Sequence, residues 1–359
     1  MKAVVYEEYT HDNNFEKILK VKDIDEPIPE SNEVIIQIKN AALNYNDIWG
    51  MRGNPVPVPL PHISGSEATG KVISIGEGVK NIKVGDRVAT HCNISCRFCI
   101  ECVEGREYNC PNRYVWGYQT GPLWGGFSEF THLPETNVVK IPNNVTYEDA
   151  SASMTLPTAW HMLVGRAKIQ PGQMILIMGG SSGVGNYGIQ IAKLFGCTVI
   201  ATASPEKLDR VLELGADYAV NHRDKNWHIS VRKITNQISR DKGRNVGIDI
   251  AFDHIGQTHF NKQLSLLKYG STLVTTGATT GYDANIDLRH IFFKGTSILG
   301  STLSTRADLE KCLNLLSDGK LKTVIDSTYS YEQAAQAHTR MFEGKDLFGK
   351  ILLKPENEK

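Results

Sequence analysis

Residues 174–188, MILIMGGSSGVGNYG, constrain the fold more than any other stretch of this 359-residue chain. A short, fully apolar run leads into a glycine-rich turn and then into the amphipathic run GVGNYGIQIAKLFG, which ends at Gly196. Such an apolar run is typical of a strand buried on both faces, and the periodicity after it predicts a helix. Strand, glycine turn and helix in this order predict the beginning of a parallel α/β sheet.

The same alternation continues towards the C-terminus. Further predicted strands are TVIATA, DYAVNH, GIDIAFDHIG, STLVTTGA and TSILGST, and PEKLDRVLELG is a predicted helix between the first two. This spacing predicts a doubly wound parallel sheet. Before about residue 150, β-branched runs such as EVIIQIKNAALNY and ATGKVISIGEGV are broken by Gly and Pro clusters, which predicts a β-rich domain. Between the two regions, YEDASASMTLPTAWHMLVGRA predicts a helix.

The length of the chain favours two domains. We place a first domain at residues 1–152 and a dinucleotide-binding domain at 153–302. The predicted strand FGKILLK lies in the last segment, 303–359, which we expect to return to the first domain.

The charge balance limits the possible partners. Lys+Arg and Asp+Glu are both 39, so the net charge is zero, which argues against nucleic acid and against a polybasic membrane surface. The N-terminus carries no apolar run of signal-peptide length, and no stretch approaches the ~18 apolar residues of a membrane span. We expect a cytoplasmic protein with a small-molecule substrate. The strand TSILGST could pair edge to edge with a second copy, which predicts a homodimer or homotetramer.

The glycine-rich turn resembles the dinucleotide fingerprint G-x-G-x-x-G, with serine in the middle position. Small residues there let the backbone approach a pyrophosphate, which then lies at the helix N-terminus. The predicted contacts are Gly180, Ser182, Gly183, Val184 and Gly185. The alternative is a glycine-rich turn that binds nothing.

The end of the second strand predicts which coenzyme is bound. NAD sites place an acidic residue there for the ribose 2′-hydroxyl, but this chain has Ala203, followed by Ser204 and Lys207. A hydroxyl and an ammonium favour a 2′-phosphate, so the sequence predicts NADPH, although Lys207 could also be a solvated helix residue. Gly277 and Thr279 follow a later strand, at the end where open α/β sheets contact ligands.

Four of the seven cysteines fall within fifteen residues. Cys96, Cys99, Cys102 and Cys110 follow a C-x2-C-x2-C-x7-C spacing within a lobe at about 91–113. In a reducing compartment such a cluster favours a metal over disulfides. Four thiolates suit one tetrahedral structural zinc per chain, whereas ferredoxin-type clusters use a different last spacing.

With these motifs the chain resembles the medium-chain dehydrogenases/reductases, the superfamily of zinc alcohol dehydrogenases and quinone oxidoreductases. The resemblance implies a GroES-like β domain with a structural zinc lobe, followed by a Rossmann domain. In the zinc alcohol dehydrogenases a second, catalytic zinc is held by a Cys, a His and a Cys. The matching positions here are Asn44, Ser66 and Met154, with Glu67 kept beside them, so we expect no catalytic metal.

Several stretches look most like the enoyl-thioester reductases related to crotonyl-CoA carboxylase/reductase and acryloyl-CoA reductase. They are NYNDIW, HISGSEATG, VWGYQT, FDHIGQTHF and TTGATTGYDANIDLRHIF. The Phe-Glu pair of carboxylating members is Tyr118-Gln119 here, which favours simple reduction. The resemblance thus implies NADPH-dependent reduction of the C=C bond of a short 2-enoyl-CoA, whose enolate charge hydrogen-bond donors can stabilise. Alternatives are a quinone or enone reductase, an alcohol dehydrogenase, and a non-catalytic NADPH-binding protein.

Five residues are candidates for contacts with substrate or nicotinamide. Asn44 could donate to a substrate carbonyl or only turn the backbone, and Tyr45 could donate a proton or form a packing wall. Glu67 could act directly or remain as a buried hydrogen-bonding group. His254 could stabilise an enolate or be a core histidine. By the resemblance, Thr158 would contact the nicotinamide amide.

Overall fold

The protein, described by a computed structural model, forms two compact units. The structure describes residues 1–242 and 246–356, so the last three residues of the predicted 303–359 segment lie outside it. Unit 1 comprises Met1–Pro157 and the chain from Ser304 onward, and unit 2 comprises Thr158–Leu303. Within the described ranges, none of the helices has the length and apolar character that a membrane span requires.

The secondary structure alternates between strands and short helices. The strands are β1 (Lys2–Val5), β2 (Lys20–Asp23), β3 (Glu33–Ala42), β4 (Ala68–Ile75), β5 (Arg87–Thr90), β6 (Asn93–Ile94), β7 (Tyr114–Val115), β8 (Phe130–Pro134), β9 (Val138–Lys140), β10 (Met174–Ile177), β11 (Thr198–Ala203), β12 (Tyr218–Asn221), β13 (Ile248–Asp253), β14 (Leu267–Thr275), β15 (Ser297–Gly300), β16 (Ile325–Ser330) and β17 (Lys350–Lys354). The α-helices are α1 (Phe15–Ile18), α2 (Tyr45–Arg52), α3 (Ile100–Val103), α4 (Thr155–Trp160), α5 (Gly183–Leu194), α6 (Leu208–Glu213), α7 (Trp227–Lys242), α8 (Phe260–Leu266), α9 (Arg289–Phe292), α10 (Arg306–Ser317) and α11 (Ala334–Glu343).

Unit 2 is built around a six-stranded parallel sheet. Its strand order is β12-β11-β10-β13-β14-β15, so the order reverses between β10 and β13. All four residues of β10 are buried, as expected for a strand covered by helices on both faces. Side chains of α7 such as Trp227 and Val231 pack with Leu176 and Ile200 of the sheet in one apolar core. The predicted doubly wound parallel sheet is confirmed.

Unit 1 contains a mixed, largely antiparallel sheet. The ten-residue strand β3 pairs with β4, β8 and β17, and its core positions Val34, Ile36 and Ile38 are almost fully buried. The last strand, β17, places Leu352 opposite Ala42 of β3. The FGKILLK segment therefore completes the sheet of unit 1.

The helix predicted over YEDASASMTLPTAWHMLVGRA is interrupted, so that prediction was wrong in detail. A 3₁₀ turn at Asp149–Ser151 is followed by α4 and then by a π-helix at His161–Arg166. The helix α4 starts at Thr155 because the carboxylate of Glu67 accepts its first free N–H groups. Pro157 lies in the first turn of α4, where its missing N–H costs nothing.

Candidate active site

A buried ion pair lies at the centre of the polar cluster in unit 1. The Lys350 ammonium is 2.5 Å from Glu67 Oε1, and the two side chains are 5% and 0% exposed. The same ammonium donates to the carbonyl oxygen of Leu43 at 2.6 Å, to Asn44 Oδ1 at 2.9 Å and to Thr155 Oγ1 at 3.1 Å. A buried charge is tolerable only when it is paired and hydrogen-bonded, and this cluster meets both conditions.

The Glu67 carboxylate accepts hydrogen bonds on both of its oxygens, from the start of α4 and from the Asn44 and Lys350 side chains. Its Oε2 accepts the N–H groups of Met154 and Thr155 at 2.8 and 2.9 Å, which caps α4. Its Oε1 accepts Asn44 Nδ2 at 2.9 Å and faces Lys350. The carboxylate is therefore fully occupied by protein groups, and in this geometry it supports the site rather than facing a ligand.

The orientation of the Asn44 amide follows from its neighbours. Lys350 can only donate hydrogen bonds, so the amide atom facing it must be the oxygen. The amide nitrogen then faces Glu67, and its second N–H reaches only the carbonyl oxygen of Ala42, at a long 3.4 Å. The side chain is half-buried, so this second N–H can serve an external acceptor.

The three positions that hold a catalytic zinc in the alcohol dehydrogenases carry side chains that do not suit a metal. Asn44 is engaged as described, and Ser66 Oγ accepts Asn46 Nδ2 at 2.8 Å. Met154 offers a thioether, which is a poor zinc ligand. With the Lys350 ammonium already among these residues, the donor set does not fit a catalytic divalent cation.

The amide of Asn46 has one buried atom without a hydrogen-bond partner, while its other atom contacts Ser66 Oγ. Because Ser66 can donate or accept, the unpaired atom can be either the amide oxygen or the NH₂ group.

Tyr45 and Asp47 complete the start of α2. The Tyr45 ring packs edge-on against Trp49 with centroids 5.7 Å apart and is half-buried. Asp47 is buried and accepts the N–H groups of Asn44 at 2.7 Å and Gly65 at 3.3 Å. Burial raises the pKa of Asp47 to about 7, against the lowering effect of these N–H groups and of Lys350.

Replacing Asp47 by asparagine should change how stability depends on pH. Between pH 4 and 7 the folded protein keeps a proton on Asp47 that the unfolded chain releases, so this group destabilises the fold increasingly as the pH rises. The shift corresponds to roughly 4 kcal/mol as an upper limit. We expect Asp47→Asn to gain stability relative to the wild type between pH 5 and pH 8, measured by urea unfolding.

Asp86→Asn provides the control for this prediction. Burial acts to raise the pKa of Asp86, but the Lys140 ammonium and the Lys83 N–H outweigh it and lower this pKa. Asp86 is therefore fully ionised throughout the range from pH 5 to pH 8. Its stability difference from the wild type should stay constant from pH 5 to pH 8. A constant difference for Asp47→Asn as well would contradict the raised pKa.

In unit 2, the glycine-rich turn connects β10 to α5. Ser182 caps this 12-residue helix, since its Oγ accepts the Gly185 N–H at 2.9 Å. A Cβ on Gly185 would lie 2.2 Å from the carbonyl oxygen of Gly179, so turn and helix touch backbone to backbone. The N–H groups that begin a helix have no intrahelical acceptor and can bind a phosphate, and Gly183 starts α5 without a side chain. Gly180 serves the packing of the turn, since a Cβ there would lie 3.0 Å from Ile189 Cδ1 and 3.1 Å from Ala201 Cβ. The residues present therefore fit a dinucleotide.

His254 lies beside this turn, at the end of β13. Its Nε2 is 3.1 Å from Ser182 Oγ, and burial lowers the pKa of the imidazole, partly offset by the Asp253 carboxylate. Because Ser182 Oγ already accepts the Gly185 N–H, its hydroxyl proton is free to donate to a neutral His254. This contact favours a supporting role for His254 in the turn.

Other predicted coenzyme contacts lie at the same ends of the parallel strands. A Cβ on Gly277 would be 2.9 Å from the carbonyl oxygen of His254, and Thr279 Oγ1 is 3.4 Å from that oxygen. The backbone of Val184, also predicted, lies in the first turn of α5, and Thr158 is a buried residue at the start of unit 2. The order of the sheet reverses between β10 and β13, which is where such sheets bind ligands.

The predicted 2′-phosphate residues lie after β11. Ser204 and Lys207 are both buried, and the Ser204 hydroxyl makes no hydrogen bond of ordinary geometry. This hydroxyl nevertheless lies near the Glu206 carboxyl. The pKa of Glu206 is lowered by its own backbone N–H and by the Ser204 hydroxyl. Arg223, which the sequence analysis did not single out, holds Glu206 in a two-point ion pair at 3.0 and 3.2 Å. Lys207 after β11 and Arg223 after β12 thus supply two cationic side chains, and the Glu206 carboxylate is paired with Arg223.

The four clustered cysteines converge in unit 1. The Sγ atoms of Cys96, Cys99, Cys102 and Cys110 all lie within 4.8 Å of one another. Tetrahedral zinc with Zn–S bonds of about 2.3 Å places sulfurs about 3.8 Å apart, and Cys96 Sγ is 3.9 Å from Cys102 Sγ and 3.6 Å from Cys110 Sγ. Backbone N–H groups of Cys96 and Cys99 point at two of the sulfurs, which favours thiolates. The residues fit one closed zinc site.

We expect about one zinc per chain, and Cys102→Ser should lower that content towards zero together with the melting temperature. Structural zinc sites contribute folding free energy directly, because a loop such as this one has little core of its own. Metal content measured by atomic emission tests this. Cys312→Ala is the control, since Cys312 is buried in α10 and its loss should lower stability without removing zinc. Zinc retained by Cys102→Ser would contradict the site.

Comparison with known proteins agrees with this architecture. Residues 30–143 match the alcohol dehydrogenase GroES-like domain, and residues 183–318 match the zinc-binding dehydrogenase domain. The crotonyl-CoA carboxylase/reductase of Cereibacter sphaeroides is 30% identical over 92% of this chain and 82% of its own length. The chain belongs to the medium-chain dehydrogenase/reductase superfamily. The family resemblance drawn from the motifs is thereby confirmed.

Two further similarities show the breadth of this superfamily. The acryloyl-coenzyme A reductase of Sulfurisphaera tokodaii is 29% identical, over 94% of this chain and 96% of its own. The solved structure of an NAD-dependent alcohol dehydrogenase is 36% identical, covers 99% of both chains and superposes with a TM-score of 0.90. Enoyl-CoA reductases and alcohol dehydrogenases are thus both relatives, so only the residues of the site can separate their reactions.

Two residues of the unit 1 cluster, Lys350 and Thr155, were not predicted from the sequence. Lys350 is the first residue of β17, directly before the apolar run ILL, and a charged residue at the start of a buried strand is a signal that could have identified it. Thr155 follows Met154 directly and could have been found only through its contact with Glu67.

Proposed function

We propose that this chain reduces the C=C bond of a short 2-enoyl-CoA with NADPH, without a catalytic zinc. The observation that supports this most is the Lys350–Glu67 ion pair, which together with Asn44 and Thr155 occupies the region of the absent zinc ligands. Oxidation of an alcohol develops alkoxide charge that a metal stabilises strongly. Addition of hydride to a conjugated carbonyl spreads charge into an enolate, which fixed hydrogen-bond donors stabilise.

Unit 2 would hold the coenzyme. In this proposal the N–H groups that begin α5 bind the pyrophosphate, and Ser182, fixed by His254, keeps the turn in shape. Lys207 and Arg223 favour the 2′-phosphate, since no carboxylate stands at Ala203. Bound NADPH supplies the hydride for the β-carbon of the substrate.

Unit 1 would bind the carbonyl oxygen of the substrate. The second N–H of Asn44 is the donor best placed to do so, since its only protein acceptor lies at 3.4 Å. Tyr45, half-buried at the start of α2, is the proposed proton donor to the α-carbon. Carboxylation is not part of the proposal, because Gln119, in place of a glutamate, accepts the Val115 N–H at 3.1 Å and is occupied locally.

A quinone or enone reductase is the second candidate. The same donors would serve any conjugated carbonyl, and nothing in the unit 1 cluster is specific for a thioester. We also propose a homo-oligomer, because β15 is an edge strand of the unit 2 sheet with Ile298 partly exposed.

The test measures consumption of NADPH and of NADH with acryloyl-CoA, crotonyl-CoA, a quinone and a short aldehyde, on protein of known zinc content. One zinc per chain with NADPH-dependent turnover of the enoyl-CoAs is the expected result. Turnover of the quinone alone would select the second candidate. Two zincs per chain with aldehyde turnover would make the protein an alcohol dehydrogenase and overturn the proposal.

A further inference from the structure

The Lys350 ammonium lies in a cage of four oxygen atoms. Glu67 Oε1, the Leu43 carbonyl oxygen, Asn44 Oδ1 and Thr155 Oγ1 surround it at 2.5, 2.6, 2.9 and 3.1 Å. An ammonium has three N–H groups, so this shell offers more acceptors than the cation can use singly. The ammonium is therefore held by hydrogen bonds from all its N–H groups as well as by the ion pair with Glu67.

We propose that Lys350 supplies the positive charge of this site as a tethered cation, and that it positions and polarises Asn44. The proposal rests on the function proposed above. Besides the counter-charge of Glu67, the two neutral side chains Asn44 and Thr155 turn their oxygens to the cation, so the ammonium lies directly against the Asn44 amide.

The effect on Asn44 is directional. Lys350 donates to Asn44 Oδ1 at 2.9 Å, and because an ammonium cannot accept, this contact alone leaves a single orientation for the amide. The one proton of Thr155 Oγ1 is within reach of Asn44 Oδ1 at 3.0 Å and of Glu67 Oε1 at 3.1 Å. Donation from a cation to an amide oxygen withdraws electrons from its nitrogen and strengthens the N–H groups as donors. The N–H that is held only weakly by Ala42 is therefore both aimed and strengthened.

This arrangement favours the transition state over the bound substrate. Negative charge on a substrate oxygen held by Asn44 grows as hydride adds, so a fixed cation behind the amide contributes more at that stage than before it. Glu67 does not cancel this contribution fully, because the N–H groups of Met154 and Thr155 already stabilise its other oxygen. Loss of the ammonium should therefore lower kcat and leave the KM for NADPH unchanged.

Two variants test the proposal in the full-length protein. Lys350→Met keeps the volume and removes the charge, and we expect kcat to fall about 100-fold, with the KM for NADPH within about twofold of the wild type. Lys350→Ala opens the cage, and methylammonium or ethylammonium chloride, compared with sodium chloride at equal ionic strength, should restore at least about a tenth of the lost activity. The same amines should raise the melting temperature of Lys350→Ala, and they should not affect Lys350→Met, whose side chain fills the cage.

Controls separate charge from folding. Arg340→Met breaks another partly buried ion pair of unit 1, with Asp326 at 2.7 Å, and should lose stability while keeping kcat and gaining nothing from amines. The double variant Glu67→Gln/Lys350→Met removes both charges, so no buried carboxylate is left without a counter-charge. Its kcat should nevertheless fall as far as that of Lys350→Met. If Lys350→Ala does not fold alone, amine present during refolding should restore the folded protein.

The outcomes distinguish this proposal from the one above. If the wild type reduces the quinone or the aldehyde but not the enoyl-CoAs, the proposed substrate class is wrong. The kcat values of the variants are then measured with the acceptor that is reduced. If no acceptor is reduced, the amine-specific change in melting temperature decides. A kcat for Lys350→Met within about threefold of the wild type overturns the proposal, and so does an identical response of Lys350→Ala to sodium and alkylammonium.

Discussion

Replacement of Gly185 by alanine is expected to weaken NADPH binding by about 10- to 100-fold. A Cβ at this position would lie 2.2 Å from the carbonyl oxygen of Gly179, 2.8 Å from the carbonyl carbon of Gly179 and 2.9 Å from the Cα of Gly180. All three are backbone atoms, so no side chain can move aside. The helix α5 must shift away from the turn, and overpacking of this kind costs about 1–3 kcal/mol, most of it taken from the geometry that binds phosphate.

The measurement is a titration of coenzyme fluorescence, combined with thermal unfolding. Gly300→Ala is the matched control, since the same added methyl group would meet nothing within 4 Å in the same unit. Its affinity for NADPH should match the wild type. Wild-type affinity in Gly185→Ala would show that the close contact between turn and helix is not needed for binding.

The fold could be predicted because its elements repeat with strong periodicity. The first strand of unit 2 was recognisable as a short apolar run, and the other strands and the confirmed parallel sheet follow from the strand–helix alternation. Local interruptions were not predictable in this way. The start of α4 depends on the carboxylate of Glu67, which is 88 residues away from Thr155 in the chain.

The candidate site was predictable where it depends on residue type and spacing. The four cysteines and the glycine-rich turn each occupy one short segment, and the structure brings the members of each group together. The unit 1 cluster draws instead on four separate segments, those of Asn44, Glu67, Thr155 and Lys350, so no local pattern announces it. The orientation of the Asn44 amide was also inaccessible, because it is set by the Lys350 ammonium.

Replacement of Glu67 by alanine is expected to destabilise the protein by about 3–5 kcal/mol. The Lys350 ammonium would stay buried without a counter-charge, and breaking a buried ion pair from one side costs this amount. The N–H groups of Met154 and Thr155 would lose their acceptor as well, and α4 would lose its cap. Replacing Lys350 by methionine in the same chain should recover a large part of the loss, because the uncompensated charge is then gone.

Urea unfolding of the single and double variants measures this coupling between Glu67 and Lys350 directly. Lys140→Ala is the control, because its ion pair with Asp86 at 2.9 Å is half exposed and should contribute less than about 1 kcal/mol. Additive effects of the two substitutions would mean that the carboxylate and the ammonium do not stabilise one another. A negative coupling of several kcal/mol would instead show that each charge is tolerated in this interior only because the other is present.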